Sequence, residues 1–348
     1  MGNVAIPARI NDHTGLIIKR EPWYMVLMTT NPTVKLSVAG LKVSYFTNRG
    51  AILAVDNISF MVAENESLGI AGESASGKTT LGSALLRALQ PPGEIIDGKI
   101  AIDGTEIVGM SSAEFTKKFR WKKIAMIFQG AMNALDPVYK VGDQMREILL
   151  QHRSKSDHES LIKESLIQVG LDNDVAKMYP HELSGGMKQR VVIAMALLLK
   201  PDIVIADEPT TALDVLVQAQ IVNLLKKLKR ELGMTIILIT HDLGIISEIA
   251  DKIAIMYAGQ FIELGPSYEI YENPKHPYTK ALIAAIPRLS ENKKPIEFIK
   301  GNPPDLSKSQ VGCRYFGRCP HAMDICKIDP PEVTIAGGFT RCWLYAKD

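Results

Sequence analysis

The sequence predicts an α/β fold in three parts: a parallel-sheet domain carrying a phosphate-binding loop, a helical subdomain inserted into it, and a small cysteine-containing C-terminal domain. Three observations predict it. Residues 203–206 and Thr235–Ile239 are unbroken apolar runs joined by the amphipathic stretch Val215–Leu232, the pattern of a βαβ unit whose strands are buried on both faces. Gly72 to Thr79 fits the pattern G-x-x-x-x-G-K-[ST] between an apolar strand and a helical stretch. Beyond Glu263, Gly and Pro become frequent, regular patterning fades, and all four cysteines appear.

In chain order, residues 1–32 have no charged start followed by a clean apolar stretch, so they do not read as a secretory signal. They are expected to be an N-terminal extension, either disordered or an artefact of start-site choice, since Met25 and Met28 precede the first patterned segment. Residues 35–45, 54–62 and Ser67–Ala71 read as strands, 79–89 as a helix ending before Pro91-Pro92-Gly93, 95–102 as a strand, and 123–129 as a short buried strand. The insertion, about 133–190, is mostly amphipathic helix. Together, 33–264 form the main domain, and 265–348, with a short helix near 278–285, the C-terminal one.

Composition excludes several classes. At 348 residues, with 46% hydrophobic and 22% charged residues, the chain is an ordinary globular one and not a disordered one. The formal charge of +2 gives no case for a nucleic-acid partner. The longest apolar run, 191–199, is too short to cross a bilayer, which takes about 20 residues.

In Gly72-Glu73-Ser74-Ala75-Ser76-Gly77-Lys78-Thr79-Thr80, the glycines let consecutive amides and the next helix N-terminus face a phosphate. Lys78 is placed to bridge the β- and γ-phosphates, Thr79 to offer Mg²⁺ a hydroxyl, and residues 74–80 to supply most of the amides. The strand at 203–206 ends in Asp207 and Glu208, which emerge beside that loop. Asp207 would hold Mg²⁺, and Glu208 would polarise the attacking water. These two motifs define an ATPase of the phosphate-loop class.

Leu183-Ser184-Gly185-Gly186-Met187-Lys188-Gln189-Arg190 narrows the class, because it resembles the signature of ABC ATPases. The resemblance implies that Ser184, Gly185, Gly186 and Gln189 bind the γ-phosphate of ATP held by the opposite subunit, at a helix N-terminus. It also implies that Gln129 is the Q-loop glutamine sensing Mg²⁺ and water, with residues 132–137 near a membrane subunit. Asp214, in Ala212-Leu213-Asp214, corresponds to the D-loop at the dimer interface, and His241 to the switch histidine on the γ-phosphate. Tyr45 matches the aromatic residue that stacks on adenine, with Phe46 as its rival. Ala75 stands where the nearest members of the family carry Gly; both required glycines remain, and no loss of function is expected.

The cysteines, Cys313, Cys319, Cys326 and Cys342, are separated by five, six and fifteen residues, so no tight C-x₂-C pair points to a zinc ribbon. Gly312-Cys313-Arg314-Tyr315-Phe316-Gly317-Arg318-Cys319-Pro320, with Cys326, Pro330-Pro331 and Cys342-Trp343, resembles the C-terminal extension of oligopeptide/dipeptide transporter ATPases. Residues 273–282 are similar to the linker before it, so the resemblance runs from about residue 34 to the end. It implies a [4Fe–4S] cluster on the four cysteines. Zinc, or free or paired thiols, are the alternatives, and His321 is a substitute ligand.

The resemblance implies an ATP-hydrolysing subunit, peripheral on the cytoplasmic face of the cell membrane, that energises an importer of di- or oligopeptides. Its implied partners are a second, related ABC ATPase in a heterodimer, two transmembrane permease subunits and an extracytoplasmic substrate-binding protein. Oligosaccharide or nickel-chelate cargo is the alternative within the family, and a soluble ABC ATPase outside transport the alternative class.

Overall fold

The computed structural model describes residues 33–48, 50–152, 157–286, 299–308 and 310–346. The expected N-terminal extension, 1–32, lies outside them.

The chain opens with the long strands β1 (Val34–Thr47) and β2 (Gly50–Ala63), then the buried strand β3 (Ser67–Ala71) and helix α1 (Lys78–Leu85). The helix stops short of the expected residue 89; Arg87, just beyond it, takes a positive φ of 51°. Strands β4 (Gly93–Ile102) and β5 (Thr105–Glu106), helix α2 (Ser112–Lys118) and strand β6 (Ile124–Ile127) follow. Between β6 and the next strand the chain is helical: α3 (Val141–His152), α4 (His158–Gln168) and α5 (Gly185–Leu197). Strand β7 (Ile203–Asp207), helix α6 (Val215–Leu232), strand β8 (Thr235–Ile239), helix α7 (Leu243–Ile249) and strands β9 (Lys252–Tyr257) and β10 (Gln260–Pro266) complete the main body.

Two sheets result. One is antiparallel, in the order β2-β1-β4-β5; the other contains the parallel set β9-β3-β8-β7-β6. The parallel strands show why their sequences are continuously apolar. Ile70, Met126, Ile205 and Ile237 enter the core facing the antiparallel sheet and α1, while Ala71, Ile127, Val204, Ala206 and Leu238 enter the core facing the helices. Alternate residues thus serve opposite cores, and each fully buried large aliphatic side chain contributes roughly 1.5–3 kcal/mol.

The C-terminal segment differs from the expected separate domain. Strand β10 runs through residue 265, and after helices α8 (Ser267–Glu272) and α9 (Pro277–Ala284) the chain returns to the same sheet. Strands β11 (Glu332–Ile335) and β12 (Gly338–Arg341) extend it, β12 pairing with β10 at Glu263↔Thr340 and Leu264↔Phe339. Phe339 is fully buried with Phe261 and Leu264 in the core beneath the antiparallel sheet. The extension therefore covers what would be an open sheet edge, which unpaired backbone would otherwise leave exposed.

Phe339→Ala is expected to shift the urea unfolding of the whole chain, followed by circular dichroism, by about 3–5 kcal/mol, the usual cost of emptying a buried phenyl site. A main transition unchanged by the substitution would mean that the extension is an independent unit.

Candidate nucleotide site

Strands β3, β7 and β8 are parallel neighbours, so the loops after them meet at one edge of the sheet. The loop after β3 is folded tightly. A Cβ on Gly72 would lie 2.1 Å from the Met256 carbonyl oxygen, and one on Gly77 would lie 2.2 Å from that of Ala54, which requires glycine at both places. Gly77, at φ 103°, caps α1 in a left-handed conformation. Lys78, 7% exposed, folds back and donates to the carbonyls of Gly72 and Glu73 at 2.8 Å each, and to Ser76 Oγ at 3.3 Å. Burial pushes its pKa down, against the charges of Glu208, Asp207 and Glu73. Ser74, Ala75 and Thr79 are exposed at the loop's outer side. Ala75 has φ 61°, a conformation that costs a non-glycine residue about 1–2 kcal/mol.

Asp207 ends β7 fully buried, and neither of its carboxylate oxygens has a hydrogen-bond partner. Burial pushes its pKa up to about 6, opposed by the nearby Thr79 hydroxyl and Lys78 charge and reinforced by the Glu208 charge. Glu208 leaves the strand at φ 49°. Its Oε1 accepts the His241 N–H at 3.1 Å and lies 2.7 Å from His241 Nδ1. Its Oε2 accepts Thr211 Oγ1 at 3.0 Å and Thr240 Oγ1 at 3.4 Å. The carboxylate is thus oriented by residues just after β8 and by its own turn, while the His241 ring is mostly exposed.

Strand β6 ends at Ile127, so Gln129 stands beyond it, exposed, before a left-handed turn at Gly130. Tyr45 lies on β1, with its hydroxyl 3.4 Å from Thr80 Oγ1 at the start of α1, whereas Phe46 points half into solvent without such an anchor. Of the two aromatics, only Tyr45 is tied to the phosphate loop.

Ser184 caps α5, its hydroxyl accepting the Met187 N–H at 3.3 Å, and Ser184 and Gly185 are exposed. Gln189 differs from expectation: at 4% exposure it is buried on the inner side of the helix and does not share the surface of Ser184. Burial begins one turn into the helix, where Gln189 joins Val191, Ile193 and Ala194 in packing against the body of the protein. Asp214 caps α6 by accepting the Val217 N–H at 3.0 Å, and Gly186 packs beside Val217. The two helix starts therefore form one surface, which also exposes Val215 and Leu216 at 79% and 77%.

The four cysteines are free of disulfides. The Cys313 N–H donates to the Cys326 carbonyl at 2.8 Å. Burial pushes the Cys313 thiol up to about 11 and those of Cys319 and Cys342 in the same direction. Among the described residues, however, no three His, Cys, Asp or Glu side chains are arranged to hold a metal ion. The expected [4Fe–4S] or zinc geometry is therefore not formed here, and His321 is exposed.

Residues 55–211 match the family model of the ABC transporter, and residues 262–326 that of the oligopeptide/dipeptide transporter C-terminal region. The chain is 42% identical, over 89% of its length and 94% of the relative's, to the dipeptide transport ATP-binding protein DppD of Bacillus subtilis. It is 44% identical to the oligopeptide transport ATP-binding protein OppD of Salmonella typhimurium, over 88% of this chain and 92% of that one. The chain belongs to the ABC transporter family of ATP-binding subunits. A solved dimeric ATP-binding cassette, MJ0796, bound to ADP and phosphate after hydrolysis, superposes with a TM-score of 0.59 at 28% identity, over 67% of this chain and 98% of that one.

As an ABC ATPase the chain hydrolyses ATP, and the orphaned oxygens of Asp207 beside Thr79 fit a divalent cation. No helix among the described residues is long and apolar enough to cross a membrane. Sequence motifs did not reveal Thr211 and Thr240 as partners of Glu208, nor the contacts of Glu73 with the extension; isolated hydroxyls and a single arginine carry no periodic signal.

Because Asp207 is held above its ordinary pKa, the folded state binds its proton more tightly than the unfolded chain does. Stability is then lost as pH rises from about 4 to about 6, and the cost persists above that. Asp207→Asn is expected to stabilise the nucleotide-free protein at pH 8 by roughly 2–3 kcal/mol in thermal melts, narrowing toward pH 4, while abolishing Mg²⁺-dependent hydrolysis.

Proposed function

We propose that this ABC ATPase powers the import of di- or oligopeptides. The observation that carries the reading is the second family match, at residues 262–326, on the extension that completes the sheet beside the nucleotide site. The names of the relatives point the same way. In this reading the chain sits on the cytoplasmic face of the cell membrane as one of two different ATPases, beneath two permease subunits served by an extracytoplasmic binding protein.

Each ATP is clamped between the Lys78 loop of one subunit and the Ser184 helix start of the other, whose amides meet the γ-phosphate as an anion. Asp207, Thr79 and Gln129 would hold Mg²⁺, which offsets charge on the phosphates. Lys78 leaves the carbonyls of Gly72 and Glu73 for the phosphate oxygens. Glu208 takes a proton from water as its oxygen bonds to the γ-phosphorus, and the bond to the bridging oxygen of ADP breaks. His241 gives up Glu208 Oε1 and turns to the γ-phosphate. Closure of the pair drives the pore, and loss of the γ-phosphate lets it reopen.

Reconstituted in proteoliposomes with its permeases and binding protein, the ATPase is expected to speed up several-fold with di- or oligopeptides and to carry labelled peptide inward. Stimulation only by a nickel chelate or an oligosaccharide would reassign the cargo. Hydrolysis indifferent to the permeases would favour a function outside transport.

A [4Fe–4S] cluster is our reading of the four cysteines of the extension, with Zn²⁺ as its alternative; it requires the sulfurs to close on a common centre. Anaerobically purified protein is expected to contain iron and sulfide that Cys319→Ser loses, whereas zinc without iron would replace the cluster with a zinc site.

A further inference from the structure

The side chain of Glu73, the second residue of the phosphate loop, takes no part in the chemistry above, yet each polar group of the residue is engaged. Its N–H donates to Tyr278 Oη at 3.0 Å, and its carbonyl accepts Lys78 Nζ at 2.8 Å. Its carboxylate receives the fork of Arg318, Nη1 to Oε2 at 2.8 Å and Nη2 to Oε1 at 3.0 Å. Two of these three partners, Tyr278 and Arg318, lie in the extension.

The Arg318 side chain is 7% exposed, and two further donors are also committed. Nε reaches the Lys300 carbonyl at 2.9 Å, and Nη1 also reaches Tyr257 Oη at 3.1 Å. The guanidinium lies over the rings of Tyr257 and Tyr315, 5.7 and 5.9 Å from their centroids. Those rings and Tyr278 pack against one another, 4.6–5.4 Å between centroids. Arg314, also in the extension, donates to Asp56 and to the Ala258 carbonyl, and the adjacent Gly259 N–H donates to the Ser76 carbonyl of the loop at 2.8 Å.

We propose that Arg318 is a positioning residue of the nucleotide site: its bidentate grip on Glu73 sets the backbone of the phosphate loop, so that the C-terminal extension helps determine affinity for ATP. A planar guanidinium fixes the orientation of a carboxylate as well as its distance, which a lysine does not. With the grip gone, the loop amides must be ordered at the moment ATP binds, and that cost appears in binding. Glu208 stands on a different strand, so the chemical step keeps its geometry.

The test is steady-state hydrolysis by the full chain assembled with its partner ATPase and permeases, with Mg-ATP as the varied substrate, for Arg318→Lys, Arg318→Ala, Glu73→Gln and the double variant Glu73→Gln/Arg318→Ala. The expected result is a KM about tenfold higher in each single variant, equivalent to about 1.4 kcal/mol, with kcat within about twofold of wild type and no further rise in the double variant. Arg318→Lys keeps the charge and carries the test if Arg318→Ala folds poorly. An unchanged KM in Arg318→Lys and Glu73→Gln would overturn the proposal. So would a roughly hundredfold rise in the double variant, or a fall in kcat at constant KM, the mark of lost folded protein.

Discussion

Lys78 carries a charge into a place with little access to water, under the influence of the charges of Glu208, Asp207 and Glu73. A buried cation needs partners, and in this structure it finds the carbonyls of its own loop. Those carbonyls are a poor substitute for a phosphate anion, so the loop is poised to exchange them for one. Much of the architecture serves that exchange. The parallel strands bring Asp207, Glu208 and His241 to the same edge; glycines at 72 and 77 permit the tight curl; and the extension braces the loop from outside.

Under the proposed function only half of a catalytic arrangement is contained in one chain. Ser184 and Asp214 cap helices whose starts lie together on an exposed surface, with Val215 and Leu216 beside them in solvent. Bare amides at a helix start favour an anion, and exposed aliphatic side chains favour a partner surface. Under the proposed function both needs are met when a second ATPase brings its own ATP to that surface.

The parts legible in the sequence were those with a strong local signal. Strand-length apolar runs marked β7 and β8, the glycine and lysine spacing marked the phosphate loop, and the Ser184 segment marked the start of α5. The parts that escaped depend on distant partners. Strands β11 and β12 have four residues each in a Pro- and Gly-rich stretch, and only the pairing of β12 with β10, and of β11 with β12, makes them strands. The burial of Gln189 follows from how α5 faces the core, which motif spacing does not encode. Arg318 looked like one residue among the cysteines until the fold brought it to Glu73.

The most direct measurement is phosphate release by the purified full chain with Mg-ATP, comparing wild type with Lys78→Ala and Glu208→Gln. Turnover in the wild type that disappears in both variants, with Glu208→Gln still binding ATP and Lys78→Ala binding it weakly, is the expected result. Turnover that survives the loss of Glu208 would contradict the assignment of the water-activating carboxylate and the mechanism built on it.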